Sequence, residues 1–376
     1  MVWTILIPIL LYYAFLLWLI IGWIKLKPFD AISNPKRYIT VIIPVRNESK
    51  NIIRLLEDLE NQKYPADLFE VLVINDHSTD DTTHLIKDKR KTTNINLELI
   101  ESSFHEDTLI SPKKKAITTG VNQARGEIVI VTDGDSRLDK NWLSIYNSIF
   151  SKCDVRLVSG PVFIDPGNYF ITKVQSIEFA SLIGTGAALF SWNMPTLCNG
   201  ANMAFDKRSF IEVGGYDGNE NIISGDDEFL LYKIYKKYPD KVKFLKSLHA
   251  IVITPPTASI QDFIHQRKRW AGKWKNHANI RNRLLAVFIF IVHFSILMVL
   301  ILSILGKISY LFLITIIFVK ILMEYLLISN IFNFGKRKMG IWPFLICSLF
   351  YSIYAVTFGI IANAGQYSWK GRKYKS

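Results

Sequence analysis

Four stretches of this chain are too apolar for any fold that leaves them in water. Residues 2–24 carry no charge, and about 284–305, 308–330 and 341–364 are similarly apolar. Each supplies the roughly 20 residues needed to cross ~30 Å of hydrocarbon. Basic residues follow the first stretch (Lys25, Lys27, Lys36, Arg37) instead of preceding it, so the sequence predicts a retained anchor, not a cleaved signal peptide. The same asymmetry predicts an N-terminus outside and the following residues in the cytoplasm, hence a multi-pass protein of the cell (inner) membrane. Three later spans would then carry the basic tail (Lys370, Arg372, Lys373, Lys375) outside, against the positive-inside rule. Either that bias is overridden or one segment is re-entrant or interfacial. Lys320 and Glu324 sit mid-span at i, i+4 spacing, as a functional pair or as a structural one that neutralises itself.

Composition sharpens this. The 376 residues include 45 basic and 32 acidic side chains, a formal charge of +13. A nucleic-acid binder would carry that excess along its folded body. Here residues 38–265 hold 25 basic against 30 acidic residues, while 284–376 hold nine basic residues and one acid. Between them lies a basic collar of Arg267, Lys268, Arg269, Lys273, Lys275, Arg281 and Arg283. Excess charge beside apolar segments marks membrane flanks, so no nucleic-acid partner is expected. Cys153, Cys198 and Cys347 share no close spacing, which excludes a zinc pattern or disulfide framework and suits a reducing compartment.

The middle of the chain reads as α/β. Apolar runs at Tyr38–Val45, Val71–Ile74, Leu97–Ile100 and Ile128–Val131 alternate with helical patterns. The first helical pattern has Ser49 as its expected cap, the second opens at Asp80 or Asp81, and the third follows Pro112. Such alternation predicts a mostly parallel sheet, with ligands bound beyond the carboxyl ends of its strands. Those ends carry Arg46-Asn47-Glu48, Asn75-Asp76-His77-Ser78 and Asp133-Gly134-Asp135. Two carboxylates separated by glycine can share a hard cation with a diphosphate, although one such triplet in isolation is usually a solvated turn. Two more elements accompany it: Gly225-Asp226-Asp227 ahead of a helical run, and Gln266-Arg267-Lys268-Arg269-Trp270 just before the second apolar stretch. A metal to neutralise a leaving diphosphate, a carboxylate to take a proton and cations for phosphate are the parts of an inverting sugar transferase.

From Val41-Ile42-Ile43-Pro44-Val45-Arg46-Asn47-Glu48 to Trp270, about 230 residues, the chain resembles the membrane-bound family-2 glycosyltransferases, which have the GT-A nucleotide-sugar-binding fold. The group with the Gln-x-x-Arg-Trp signature includes processive polysaccharide synthases and ceramide or lipid glucosyltransferases. The resemblance implies a Rossmann-like mixed sheet with transmembrane helices at both ends. It implies a 1–30 anchor, a cytoplasmic 36–283 transferase domain and a 284–376 membrane region of about three helices. It implies a nucleotide-diphosphate sugar donor, first of all a UDP-sugar, and Mg²⁺ or Mn²⁺. Residue by residue, it implies donor contacts from Pro44, Arg46, Asn47 and Glu48, and base recognition by Asp76. Asn75 and His77 stand where the family has aspartate and glycine. Lys113, the best-registered of Lys113-Lys114-Lys115, falls on the phosphate-side lysine. Asp135 falls on the metal ligand and Asp133 beside it, facing the nucleoside. Asp227 falls on the catalytic base, with Asp226 next to it. Gln266, Arg269 and Trp270 fall on the segment that closes over the diphosphate, Trp270 also lining the acceptor, as do Asn199 and Gly200.

Simpler readings stand beside several of these. Arg267 and Lys268 read as a lipid-facing basic run, Trp270 as an interfacial residue, Asn199-Gly200 as a plain turn, and Asp226 as a helix N-terminal acid. Residues 169–190 read as core, or as an interfacial amphipathic helix. His77, His249 and His265 have no pairing that suggests a metal. For the acceptor, about 93 residues of membrane region favour a lipid or short glycan, the alternative being a processive synthase that exports its polymer. A non-catalytic scaffold would have lost Asp135, Asp227 or Arg269, and all three are present. A transporter is poorly served by one intramembrane charge pair.

Overall fold

The computed structural model describes residues 2–102, 111–272, 280–361, 366–370 and 372–375. They form two compact units, Leu26–Ile164 with Phe190–Pro255, and Met1–Lys25 with Asp165–Leu189 and Pro256–Ser376. The first apolar stretch is helix α1 (Val2–Lys25) of the second unit.

The first unit begins β1 (Ile39–Val45), α2 (Ile52–Glu60), β2 (Phe69–Asn75), α3 (Thr82–Thr92), β3 (Asn96–Glu101), α4 (Pro112–Gln123), β4 (Ile128–Val131). Every residue of β2 and β4 is buried, which explains continuous apolar runs where a half-exposed strand would alternate. Pro112 occupies the first turn of α4, where its missing N–H costs nothing. Pro44 lies near the end of β1, two residues past Ile42, the last β1 residue paired with β4. Helix α2 starts at Ile52 behind Asn51, so Ser49 is not its cap. The Ser49 N–H is instead drawn to Asp80 Oδ2 at 3.1 Å, because that carboxylate gathers the loops after β1 and β2.

Next come β5 (Arg137–Leu138), α5 (Trp142–Lys152), β6 (Leu157–Ser159) and β7 (Val162–Ile164). Helix α6 (Phe170–Ser191) starts in the second unit, and β8 (Met203–Asp206), α7 (Lys207–Glu212), α8 (Asp226–Lys237), β9 (Val242–Phe244) and β10 (Val252–Thr254) return to the first. The main sheet runs β3-β2-β1-β4-β8-β6-β9, with a small sheet β5-β10-β7 beside it in the fold. β1 to β4 are parallel, but β8 is antiparallel to both β4 and β6, which makes the sheet mixed. That reversal matters for the site. Met203, the first residue of β8, pairs with Val131, the last of β4. The loop that feeds β8, containing Asn199 and Gly200, therefore reaches the same edge as the carboxyl ends of β1, β2 and β4.

The second unit adds α9 (Ile260–Gly272), α10 (Ile280–Ile304), α11 (Tyr310–Phe334), α12 (Ile341–Ile361) and the antiparallel pair β11 (Gln366–Trp369) and β12 (Arg372–Lys375). Four helices, within Thr4–Lys25, Ile280–Ile304, Tyr310–Phe334 and Ile341–Ile361, are long and apolar enough to cross a membrane. Gly306, in the left-handed region at φ +68°, makes the tight turn between α10 and α11. Lys320 and Glu324 meet at 2.9 Å inside this unit. Lys320 also donates to Ser348 O at 2.6 Å, and Tyr12 donates to Glu324 at 2.8 Å. Each charge is thus answered by groups from α1, α11 and α12, as a self-neutralising pair requires.

Candidate active site

The carboxyl ends of β1 and β2 build a clamp. Arg46 Nη1 donates to the carbonyls of Asp76 and His77 at 2.8 and 3.1 Å, and Asp76 N donates to Val45 O at 2.8 Å. Asn47 adopts φ +55°, tolerable for asparagine because its Oδ1 accepts from Thr79 N at 2.8 Å. Glu48 is buried, with its N–H on Thr82 Oγ1 at 2.8 Å. Burial acts to raise the Asp80 carboxyl, but hydrogen bonds from Thr82 and Ser49 outweigh it and hold the group at about 2. Asp76 is buried, with His77 Nδ1 3.2 Å from its Oδ1. Asn75 Nδ2 donates to Glu101 Oε2 at 2.7 Å and Thr83 Oγ1 at 2.9 Å, while its Oδ1 accepts from Ser78 N. An aspartate at 75 would put carboxylate against carboxylate, so Glu101 accounts for the asparagine.

The centre of the site is ionic. Lys113 Nζ lies 2.7 Å from Asp133 Oδ1 and 3.3 Å from Asp226 Oδ2, bridging the turn after β4 and the start of α8. Burial works against the Lys113 charge, but Asp133 and Asp226 more than compensate and raise its pKa. Burial would likewise raise Asp226, but Lys113 and Lys114 outweigh it and leave the carboxyl below its usual range. Lys114 points elsewhere. It is buried with Nζ 2.7 Å from Asn219 O and 4.5 Å from the Phe229 ring centroid, and desolvation brings it down to about 8.

Gly200 is wedged into this centre. A Cβ there would sit 2.8 Å from Asp226 Oδ2 and 3.0 Å from Lys113 Nζ. Its N–H donates to Asp227 Oδ2 at 3.0 Å, while Asp227 Oδ1 accepts from Glu228 N at 2.7 Å. Gly225, at φ +83°, turns the chain into α8 so that Asp226 is buried toward Lys113 and Asp227 stays partly exposed. The two adjacent acids thus have different environments: one is neutralised by a buried lysine, and the other is oriented by two backbone N–H groups.

The structure brings Asp133, Lys113, Asp226, Asp227 and Gly200 into one cluster, with Asp135 partly exposed two residues beyond Asp133. Among the described residues no group of three or more His, Cys, Asp or Glu side chains forms a self-sufficient metal cage. Asp133 and Asp135 nevertheless suit Mg²⁺ or Mn²⁺, hard cations that take one or two protein carboxylates and complete their shell with water and substrate phosphates.

Gln266, Arg269 and Trp270 lie in the second unit, on α9, all partly buried. Their neighbour Arg267 corrects the sequence reading. It is no lipid-facing cation but only 3% exposed, paired through two nitrogens with Glu178 of α6. Sequence reasoning passed over Glu178, although an acid within the apolar stretch of α6 was a signal that a cation must meet it. Of residues 169–190, Ile177, Phe179 and Leu189 are buried, as core residues are, whereas Tyr169, Phe170 and Ile171 at the start are exposed. Lys273 and Lys275 of the basic collar lie outside the described residues. His249 holds Asp139 at 3.0 Å.

Comparison with known proteins bears on this arrangement. Residues 40–214 match the family model described as Glycosyl transferase family 2, and residues 128–360 match Glycosyl transferase family group 2. The chain is 34% identical over 125 residues to Glycosyltransferase AglE of Haloferax volcanii, covering 33% of this chain and 39% of that one. It is 25% identical over 257 residues to the poly-beta-1,6-N-acetyl-D-glucosamine synthase of Staphylococcus epidermidis, covering 66% and 58%. It is 24% identical over 236 residues to the beta-monoglucosyldiacylglycerol synthase of Nostoc sp., covering 62% and 48%. The chain thus spans about half the length, or less, of these relatives. Among solved structures it is similar in fold to the mannosyltransferase PcManGT from Pyrobaculum calidifontis in complex with GDP-Man and Mn²⁺. The TM-score is 0.58 at 18% identity, covering 93% of this chain and 96% of that one.

Proposed function

The chain belongs to glycosyl transferase family group 2, and from that premise we propose that it transfers a sugar, with inversion, from a nucleotide-diphosphate donor to a membrane-associated acceptor. The observation that carries this reading is the Lys113-centred cluster. Lys113 touches Asp133 and Asp226 while Gly200 N orients Asp227, so the groups we assign to phosphate, metal and proton meet at one sheet edge.

In this reading Asp227 takes the proton from an acceptor hydroxyl, whose oxygen attacks the anomeric carbon as the bond to the diphosphate breaks on the opposite face. Asp226 is not the base, because Lys113 already neutralises it. Lys113 lies where it can turn from these carboxylates to donor phosphate. The clamp of Arg46, Asn47, Glu48 and Asp76 holds the nucleoside, and Pro44 lies one residue before the end of the strand that presents it. Asp135, with Asp133, would hold Mg²⁺ or Mn²⁺, which when bound offsets the charge of the leaving diphosphate. Gln266 and Arg269 are assigned to the diphosphate and Trp270 to donor and acceptor on their signature alone. Asn199 and Gly200 border the acceptor. We place this chemistry on the cytoplasmic face of the cell membrane.

A UDP-sugar is our first choice of donor and a lipid our first choice of acceptor. The second reading is a processive synthase, which the Gln-x-x-Arg-Trp signature and the match to a polysaccharide synthase over 66% of this chain favour. A panel of UDP- and GDP-sugars, incubated with the membrane-embedded chain, Mn²⁺ and a lipid extract, tests both. One sugar added to an organic-extractable product supports the lipid reading, a water-soluble polymer supports the synthase, and no sugar transfer from any donor rejects both.

A further inference from the structure

Arg267 is an odd residue to bury. It sits between Gln266 and Arg269-Trp270 on a polar helix, and a lone guanidinium withdrawn from water costs several kcal/mol. Its surroundings explain it. Nε donates to Glu178 Oε1 at 3.1 Å, Nη2 pairs with Glu178 Oε2, and Tyr354 of α12 donates to Oε1 at 2.9 Å. The guanidinium lies 4.3 Å from the Trp270 ring centroid and 4.4 Å from that of Phe263, and Nη1 donates to Gln266 Oε1. The Trp270 ring in turn faces Phe179, one residue from Glu178, at 6.0 Å. One turn earlier on α6, Gln175 accepts from Thr257 N and Oγ1, so the segment leading into α9 is tied to the same helix.

We infer that Glu178 is a positioning residue for the signature segment: it fixes Arg267, and Arg267 fixes Gln266 by a hydrogen bond and Trp270 by stacking. A bidentate carboxylate–guanidinium pair has a defined plane, which an apolar contact lacks. Its orientation sets which way the Gln266 amide and the indole face. The inference rests on the donor reading of Gln266 and Trp270 above.

The test uses the full chain in detergent, with UDP and GDP plus Mn²⁺ as binding probes. Glu178→Gln should weaken binding of the preferred nucleotide about tenfold. In a Gln266→Ala/Trp270→Ala background the same change should cost less than threefold, because the residues it acts through are gone. If Glu178→Gln does not fold, the neutral pair Glu178→Gln/Arg267→Met keeps the packing without a lone buried charge, and the same two numbers are expected. A folded variant that binds like the parent, or an equal loss in both backgrounds, overturns the inference while leaving the donor reading intact. If Gln266→Ala/Trp270→Ala alone leaves nucleotide binding unchanged, the donor reading of the signature falls and the inference with it.

Discussion

Gly200 shows how tightly the centre is drawn. Because a Cβ would lie 2.8 Å from Asp226 Oδ2 and 3.0 Å from Lys113 Nζ, Gly200→Ala must push apart the ion pair or the loop that orients Asp227. Turnover should fall at least tenfold with the thermal midpoint nearly unchanged; parental turnover would show that the spacing is irrelevant. Lys114 makes a pH prediction. An unfolded lysine titrates near about 10.4, whereas burial brings Lys114 down to about 8. Its folded pKa is depressed, so its contribution to stability is complete above the unfolded value and is lost as pH falls through about 8. Stability measured from pH 7 to 10 should rise relative to that of Lys114→Met, and parallel curves would contradict the account. Single residues were legible where a motif named them, as with Asp133 and Asp227. Asn75 was not, because its explanation, Glu101, lies on the neighbouring strand and no local pattern points to it.

At the level of elements, apolar runs marked β1, β2 and β4, since strands buried on both faces leave long unbroken signals, while the edge strand β3, in which only Leu97 is buried, showed as a shorter run broken by Glu98. The antiparallel β8 escaped, because Met203–Asp206 is four residues long and its direction depends on pairing across the sheet. The start of α2 was misplaced because Asp80 competes for Ser49. In α11 the i, i+4 spacing of Lys320 and Glu324 was visible, but their partners Tyr12 and Ser348 come from other helices. Those partners give the pair a measurable role. Glu324→Gln should leave the Lys320 charge poorly answered and cost about 3–5 kcal/mol, the usual penalty for breaking a buried pair. The double change Lys320→Met/Glu324→Met should cost much less. Thermal midpoints in detergent would check this, and a single variant as stable as the parent would argue that the pair does not hold the helices together.

The chain's +13 charge poses its question over the whole sequence, and the second unit bears on the part that concerned the tail. α1 and α10 run antiparallel, with Phe15 on Phe288 and Tyr12 on His293, and Trp23 near the end of α1 meets Phe334 at the end of α11. The end of α1, the start of α10 and the end of α11 therefore share one face. The last turns of α12 place Tyr354 and Phe358 on Phe263 of α9, the helix that leads into α10, and β11 runs beside α9. Three full crossings would hold α9 and the tail a bilayer apart. A tail on the same side as α9 would satisfy the positive-inside rule. Hydropathy does not decide between the two, since α12 is as long and apolar as a span. Single cysteines at Ser309 and Ser368, probed with an impermeant maleimide on intact cells, separate the two: labelling on opposite sides places the tail by the positive-inside rule, and labelling from the same side means three crossings. The central claim is that Asp227 is the base of a sugar transfer, and one comparison tests it most directly. Asp227→Asn and the parent chain, given the same nucleotide sugar, Mn²⁺ and lipid extract, are assayed for sugar transferred and for nucleotide bound. The account predicts that transfer is lost in the variant while UDP or GDP binds within about threefold of the parent; transfer at the parental rate would contradict it.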